Sequence, residues 1–144
     1  MKTWERYATH AEEMQQQALS SLLHAAKDTE YGRKHLFANC HNYDTFAHHV
    51  PVNTYEELKE DIDRMRHGEK DVLWKGVVRW YAKSSGTTND KSKFIPVSAQ
   101  GLKNLHYRGG QDAVALYLRN KPKSRLFDGR SLILGGSHSP NYNV

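Results

Sequence analysis

The sequence predicts an α/β (α+β) chain in which helices flank a small, incomplete sheet, and three observations carry that expectation. Apolar residues near the N-terminus recur at three- and four-residue steps, a capping box opens a further helix at Thr54, and two β-rich runs bracket a glycine loop at Gly86. With 144 residues the chain is long enough for one domain, and no repeat, low-complexity stretch or linker divides residues 1–144. An incomplete sheet is expected to leave apolar surface exposed.

The first helix is predicted over residues 3–28. Trp4, Tyr7, Ala11, Met14, Ala18, Leu22 and Ala25 form its apolar stripe, and Leu19, Leu23 and Ala26 widen it. Gly32 is expected to stop the chain as a C-terminal glycine. Residues 33–53 read as loop-rich, with a short helix at Tyr43–His49. Thr54 and Glu57 then stand at N-cap and N3 of a helix whose inner face is Tyr55, Leu58, Ile62 and Met65. Arg66-His67-Gly68 supplies the positive charge and the glycine that end it.

Val77 to Ala82 and Phe94 to Val97 read as two short strands. Ser98 is expected to cap a helix over roughly 99–119, with Leu102, Leu105, Ala113, Leu116 and Tyr117 buried. Gly109-Gly110 inside it would weaken the helix, by about 1 kcal/mol per glycine relative to alanine, and implies either a break there or close packing of another backbone. Arg119 to Arg125 is basic but broken by Pro122, and reads as a solvated loop rather than a nucleic-acid patch. Phe127 to Arg130 reads as a turn, and Leu132-Ile133-Leu134 as a strand.

Composition narrows the function classes. Hydrophobic residues make up 38% and mean hydropathy is −0.82, with no apolar run long enough to span a bilayer. Residues 1–20 lack an apolar signal core, and Cys40, the only cysteine, excludes an internal disulfide. The expectation is a cytoplasmic protein with no membrane partner. A net charge of +5 and a pI near 9.3 favour anionic ligands, but the basic residues are dispersed among acids, so no nucleic-acid partner is expected.

Between the two strands the chain reads Ser84-Ser85-Gly86-Thr87-Thr88-Asn89-Asp90-Lys91-Ser92-Lys93. Hydroxyls and turn amides can surround an anion, a glycine admits close backbone approach, and a rim lysine adds mobile charge. This composition points to nucleotide phosphates, although hydroxyl-rich glycine loops also close hairpins that bind nothing. The Walker A pattern fails: the second glycine is missing, and the segment that follows is extended and contains Pro96. The nine histidines show no metal-ligand spacing, so no metal site is expected, and Cys40 reads as a buried, inert thiol.

The motifs occur in a telling order: Thr29-Glu30-Tyr31-Gly32-Arg33, Val50-Pro51-Val52 with Tyr55-Glu56-Glu57-Leu58, Arg64-Met65 with Gly68-Glu69, then Ser84-Ser85-Gly86-Thr87-Thr88. In this the chain resembles, over nearly its whole length, the N-terminal part of the Gretchen Hagen family of acyl-acid amido synthetases. The resemblance implies part of an adenylate-forming fold, ATP and Mg²⁺ as cofactors, and a small carboxylic acid and an amine or amino acid as partners. It implies phosphate-binding roles for Ser84, Ser85, Gly86, Thr87, Thr88 and Lys93, and leaves the catalytic residues unknown. Where the family commonly has a small residue and then glycine after the threonines, this chain has Asn89-Asp90. Family members continue for several hundred residues, so the resemblance implies an N-terminal segment, inactive alone. The competing expectation is a non-catalytic, basic helical binding module with no nucleotide site.

Overall fold

A computed structural model describes residues 7–84, 92–130 and 132. Within them the chain is α+β: helices α1 (Ala11–Ala26), α2 (Glu30–Lys34), α3 (Tyr43–His49) and α4 (Tyr55–Arg66), strands β1 (Trp80–Lys83) and β2 (Phe94–Val97), then a long interrupted helix. That helix comprises α5 (Ala99–Gly101), a π-helical stretch Leu102–Tyr107 and α6 (Arg108–Asn120). The two strands form one antiparallel sheet. No helix among the described residues is long and apolar enough to cross a membrane.

The first helix is shorter than its periodicity suggests. Residues 7–9 are helical, the backbone leaves helical geometry at His10, and α1 then runs to Ala26. Burial follows Leu23 and Ala26, whereas Tyr7, Ala11, Ala18 and Leu22 of the expected stripe are exposed. Among the described residues α1 meets chiefly α2 and the turn Phe37–Asn39, and its buried side chains lie at its C-terminal end, next to them.

Gly32 does not stop the chain after α1; it is the third residue of α2 and is buried. Thr29, 1% exposed, caps α2 by accepting the Gly32 N–H at 2.9 Å. The same Thr29 donates its amide (3.0 Å) and hydroxyl (2.7 Å) to the Ala26 carbonyl, which closes α1. Both helix ends thus share one hydroxyl. Gly32 lies against that carbonyl so closely that an added Cβ would meet the Ala26 carbon at 2.9 Å. The need for glycine here is close approach between helix ends, which the one-dimensional pattern disguised as a stop signal.

The remaining amides of the α2 first turn have partners too. Glu30 N–H donates to the Asp71 carbonyl at 2.7 Å and Tyr31 N–H to Val72 at 3.0 Å, satisfying donors a helix start leaves open. Asp71 reaches this position with φ +60°, and its carboxylate accepts the Gly76 N–H at 2.7 Å across a turn where Gly76 has φ +74°. The turn points Val72 inward to join Met65 and Val78 in the core, with Leu73, Trp74 and Tyr81 packed around them.

Helices α3 and α4 match expectation because their signals are local. Asn42 caps α3, its Oδ1 accepting the Thr45 N–H at 2.9 Å. In α4 the Glu57 carboxylate accepts the Thr54 N–H at 2.6 Å, and Ile62 and Met65 are buried beneath half-buried Tyr55 and Leu58. Gly68, at φ +91°, ends it as expected.

One guanidinium ties α2, α4 and the following turn together. Arg64 donates to Glu30 (2.6 and 3.1 Å), to Glu69 (Nε at 2.9 Å) and to Asp61 (3.1 Å). Its bonds hold the Glu30 and Glu69 carboxyls below their usual value of 4.5, and the carboxylates hold the guanidinium above its own. Carboxylates lowered on folding stabilise the fold above their unfolded pKa and lose that contribution as pH falls through the folded value. The stability gap between wild type and Arg64→Leu should therefore be widest near neutrality and close below about pH 4.5. Urea midpoints across pH measure it, and a gap that widens in acid would refute the assignment.

The long helix departs from expectation in its phase. Ser98 caps it as predicted, its Oγ accepting the Gly101 N–H at 3.0 Å. Leu105, however, is 76% exposed and Tyr117 47% exposed, while Val114 and Leu118 are half-buried. The π-helical stretch inserts extra chain into the turn and displaces the inner face by one residue, from Ala113 and Tyr117 to Val114 and Leu118. Gly109 and Gly110 pack against no other backbone: nothing described lies within 4 Å of a Cβ built at either, and the helix does not break there.

After Asn120 the chain turns at Pro122, and Arg125 pairs with Asp128 at 3.0 Å in the turn expected there. The strand expected at Leu132-Ile133-Leu134 falls, except for exposed Leu132, outside the described residues. Leu105, Leu126, Phe127 and Val52 also stand exposed, none of them on the two strands.

Candidate functional site

The β1–β2 hairpin brings the two ends of the glycine loop together. Trp80 pairs with Val97, Tyr81 with Pro96, Ala82 with Ile95 and Lys83 with Phe94. Pro96 interrupts no ladder beyond this pair, as an outer strand permits. Past the last pair, Ser84 N–H donates to the Lys93 carbonyl at 2.9 Å, and Lys93 N–H donates to Ser84 Oγ at 3.3 Å. Ser84 and Lys93 are therefore the two feet of the loop. Of the residues expected to meet phosphate, the structure brings these two side by side. Ser85, Gly86, Thr87 and Thr88 lie outside the described residues, as do Asn89, Asp90 and Lys91.

Both feet keep their chemistry available. The Ser84 hydroxyl accepts one bond and can still donate its own proton. The Lys93 side chain is exposed, its ammonium 5.2 Å from the centre of the Tyr55 ring. That ring belongs to the first residue of α4, and its hydroxyl accepts the Phe94 N–H at 3.1 Å. At the far end of α4, the Arg66 guanidinium lies 3.8 Å above the Phe94 ring and pairs with Asp63 at 2.9 Å. A lysine and an arginine thus flank β2 where it leaves the loop.

Sequence reasoning did not find the parts played by Tyr55 and Arg66. It read them as core face and helix end, and no local pattern links Tyr55 to a strand 39 residues away. A polar tip on an otherwise apolar helix stripe was the available signal, since a half-buried tyrosine usually finds a partner for its hydroxyl. The neighbouring Tyr81 is different: its hydroxyl is buried with no hydrogen-bond partner among the described residues, and burial raises its pKa.

Cys40 and the histidines near it have contacts of their own. The Cys40 thiol is buried, faces the carbonyls of Leu36 (3.5 Å) and Thr45 (3.8 Å), and is pushed up in pKa by burial, the opposite of an activated nucleophile. His35 Nδ1 lies 3.1 Å from the His49 carbonyl, and the rings of His48 and His49 meet edge to face. Among the described residues no three His, Cys, Asp or Glu side chains group to hold a metal ion.

The GH3 family N-terminal domain matches residues 1–142. The indole-3-acetic acid-amido synthetase GH3.6 of Arabidopsis thaliana is 31% identical over 99 residues, 68% of this chain and 16% of that protein. GH3.17 from the same plant, also named an indole-3-acetic acid-amido synthetase, is 30% identical over 138 residues, 93% of this chain and 22% of its own length. GH3.15, another of that name, is 31% identical over 130 residues, 90% of this chain and 21% of its length. The chain spans between 16% and 22% of the length of these curated relatives.

Proposed function

The chain belongs to the GH3 (Gretchen Hagen) family, and from that premise we propose that the complete protein is an ATP-dependent acid-amido synthetase whose nucleotide phosphates meet the β1–β2 loop. In the proposed reaction a carboxylate oxygen attacks the α-phosphorus of ATP and pyrophosphate leaves. The resulting acyl-adenylate passes its acyl group to the nitrogen of an amine or amino acid, releasing AMP. The work of this segment is to position and neutralise phosphate charge, the dominant requirement of such a transfer.

The observation that carries the proposal is the pairing of Ser84 and Lys93 at the loop feet in a chain of this family. A hydroxyl and an ammonium at one mouth are donors of the kind that phosphate oxygens accept, so the described residues fit a triphosphate. Gly86 would admit close backbone approach, and Ser85, Thr87 and Thr88 would add hydroxyl donors. Mg²⁺, proposed from the family, finds no group of three His, Cys, Asp or Glu side chains able to hold it among the described residues, so its protein ligands are sought elsewhere. The adenylate-forming fold and a cytoplasmic location are part of the same proposal.

The test is acid-dependent exchange of labelled pyrophosphate into ATP by the complete gene product. Indole-3-acetic acid belongs on the acid panel because the relatives carry its name. Exchange with at least one acid is expected. Silence across a broad panel, from a folded protein, would refute adenylation.

A further inference from the structure

We infer that Tyr55 is a positioning residue for Lys93, its ring holding the ammonium at the mouth of the loop. The inference rests on the assignment of Lys93 to the nucleotide phosphates. A lysine on a strand end has a four-carbon stem with many rotamers, and any that points away from the loop removes its charge from the site. Here the ammonium lies 5.2 Å from the Tyr55 ring centre, inside the range at which the face of an aromatic ring attracts a cation.

The ring is itself held on three counts. Tyr55 is the first residue of α4, directly behind the Thr54–Glu57 box that fixes the helix start. Its hydroxyl accepts the N–H of Phe94, the residue next to Lys93 in the strand. Eleven residues on, Arg66 lies 3.8 Å over the ring of the same Phe94, so the two ends of α4 hold the first residue of β2. The helix therefore sets where the strand, and with it the lysine, meets the loop.

The experiment is a double-mutant cycle in the complete protein, read as ATP affinity by calorimetry and as KM for ATP in the exchange assay. Tyr55→Leu is expected to weaken ATP roughly tenfold, between the few-fold value of an exposed cation–ring contact and the hundredfold loss that a misplaced group can cause. Tyr55→Phe, which keeps the ring, should stay within about threefold of wild type. In a Lys93→Ala background Tyr55→Leu should change ATP affinity by less than about twofold, because the residue it positions is gone. If Tyr55→Leu does not fold, Tyr55→Gln replaces it, keeping an acceptor for the Phe94 N–H without the ring.

The outcomes separate the two claims. Unaltered ATP affinity in Lys93→Ala, or no ATP binding by wild type, overturns the phosphate assignment and the inference with it. If Lys93→Ala is impaired but loss of the ring is harmless, the role of Tyr55 alone falls. It falls too if the ring's loss is as damaging without Lys93 as with it, or if Tyr55→Phe is as weak as Tyr55→Leu.

Discussion

Replacing Lys93 by alanine in the complete protein is expected to slow adenylate formation about a hundredfold, the loss expected when a charge that meets the transition state is removed. Lys93 stands at one foot of the loop, its backbone bonded to Ser84 and its exposed side chain beside the Tyr55 ring. Lys91 is the built-in comparison. It follows Asp90 in sequence, and a solvated lysine beside a carboxylate is worth only about 0–1 kcal/mol. Pyrophosphate exchange with each variant checks this. Equal, small effects would mean that the loop does not grip phosphate, and a larger loss at Lys91 would place the working lysine two residues earlier.

The largest expected effect on stability is at Gly32. A methyl group there would enter the space of the Ala26 carbonyl and come within 3.0 Å of Thr29 Oγ1, in a junction where both helix ends depend on that hydroxyl. Neither neighbour is the free end of a flexible side chain. Gly32→Ala should therefore destabilise by about 3 kcal/mol, the upper range for overpacking. The same substitution at Gly109, where nothing lies within 4 Å, should stabilise the helix by about 0.5–1 kcal/mol. Thermal melts of the two variants test the contrast. If both shift the midpoint the same way, the close junction between α1 and α2 is wrong.

These two glycine positions also show what the sequence could and could not reveal. Both were recognised as unusual, but a glycine states only that a side chain is unwelcome, not which neighbour excludes it. At Gly32 the neighbour is six residues back across a helix end, and at Gly109 there is none among the described residues. Signals confined to four or five residues read correctly: the limits of α3, the Thr54–Glu57 box, the Gly68 stop and the Ser98 cap. Phase along the last helix did not, because a π-helical stretch breaks the 3.6-residue rule that the reading assumed. The Arg64 cluster was invisible for another reason. Glu30 and Arg64 are 34 residues apart, and charge alternation on a surface names no partner. For the candidate site, the two strands were legible from composition, whereas the meeting of Ser84 with Lys93 and the parts of Tyr55 and Arg66 became visible only once β1 paired with β2 and α4 lay against it.

The bonds between Ser84 and Lys93 have a bearing on how the loop can vary. With the ends already tied, the entropy of closing residues 85–92 grows only as the logarithm of their number, about 0.6 kcal/mol for a doubling of length. Exchange or insertion between the feet is thus nearly neutral for folding, while displacement of either foot is not. The Asn89-Asp90 departure sits in the permissive part. Under the proposed function, selection on those two positions would act through what the loop binds rather than through the stability of the hairpin.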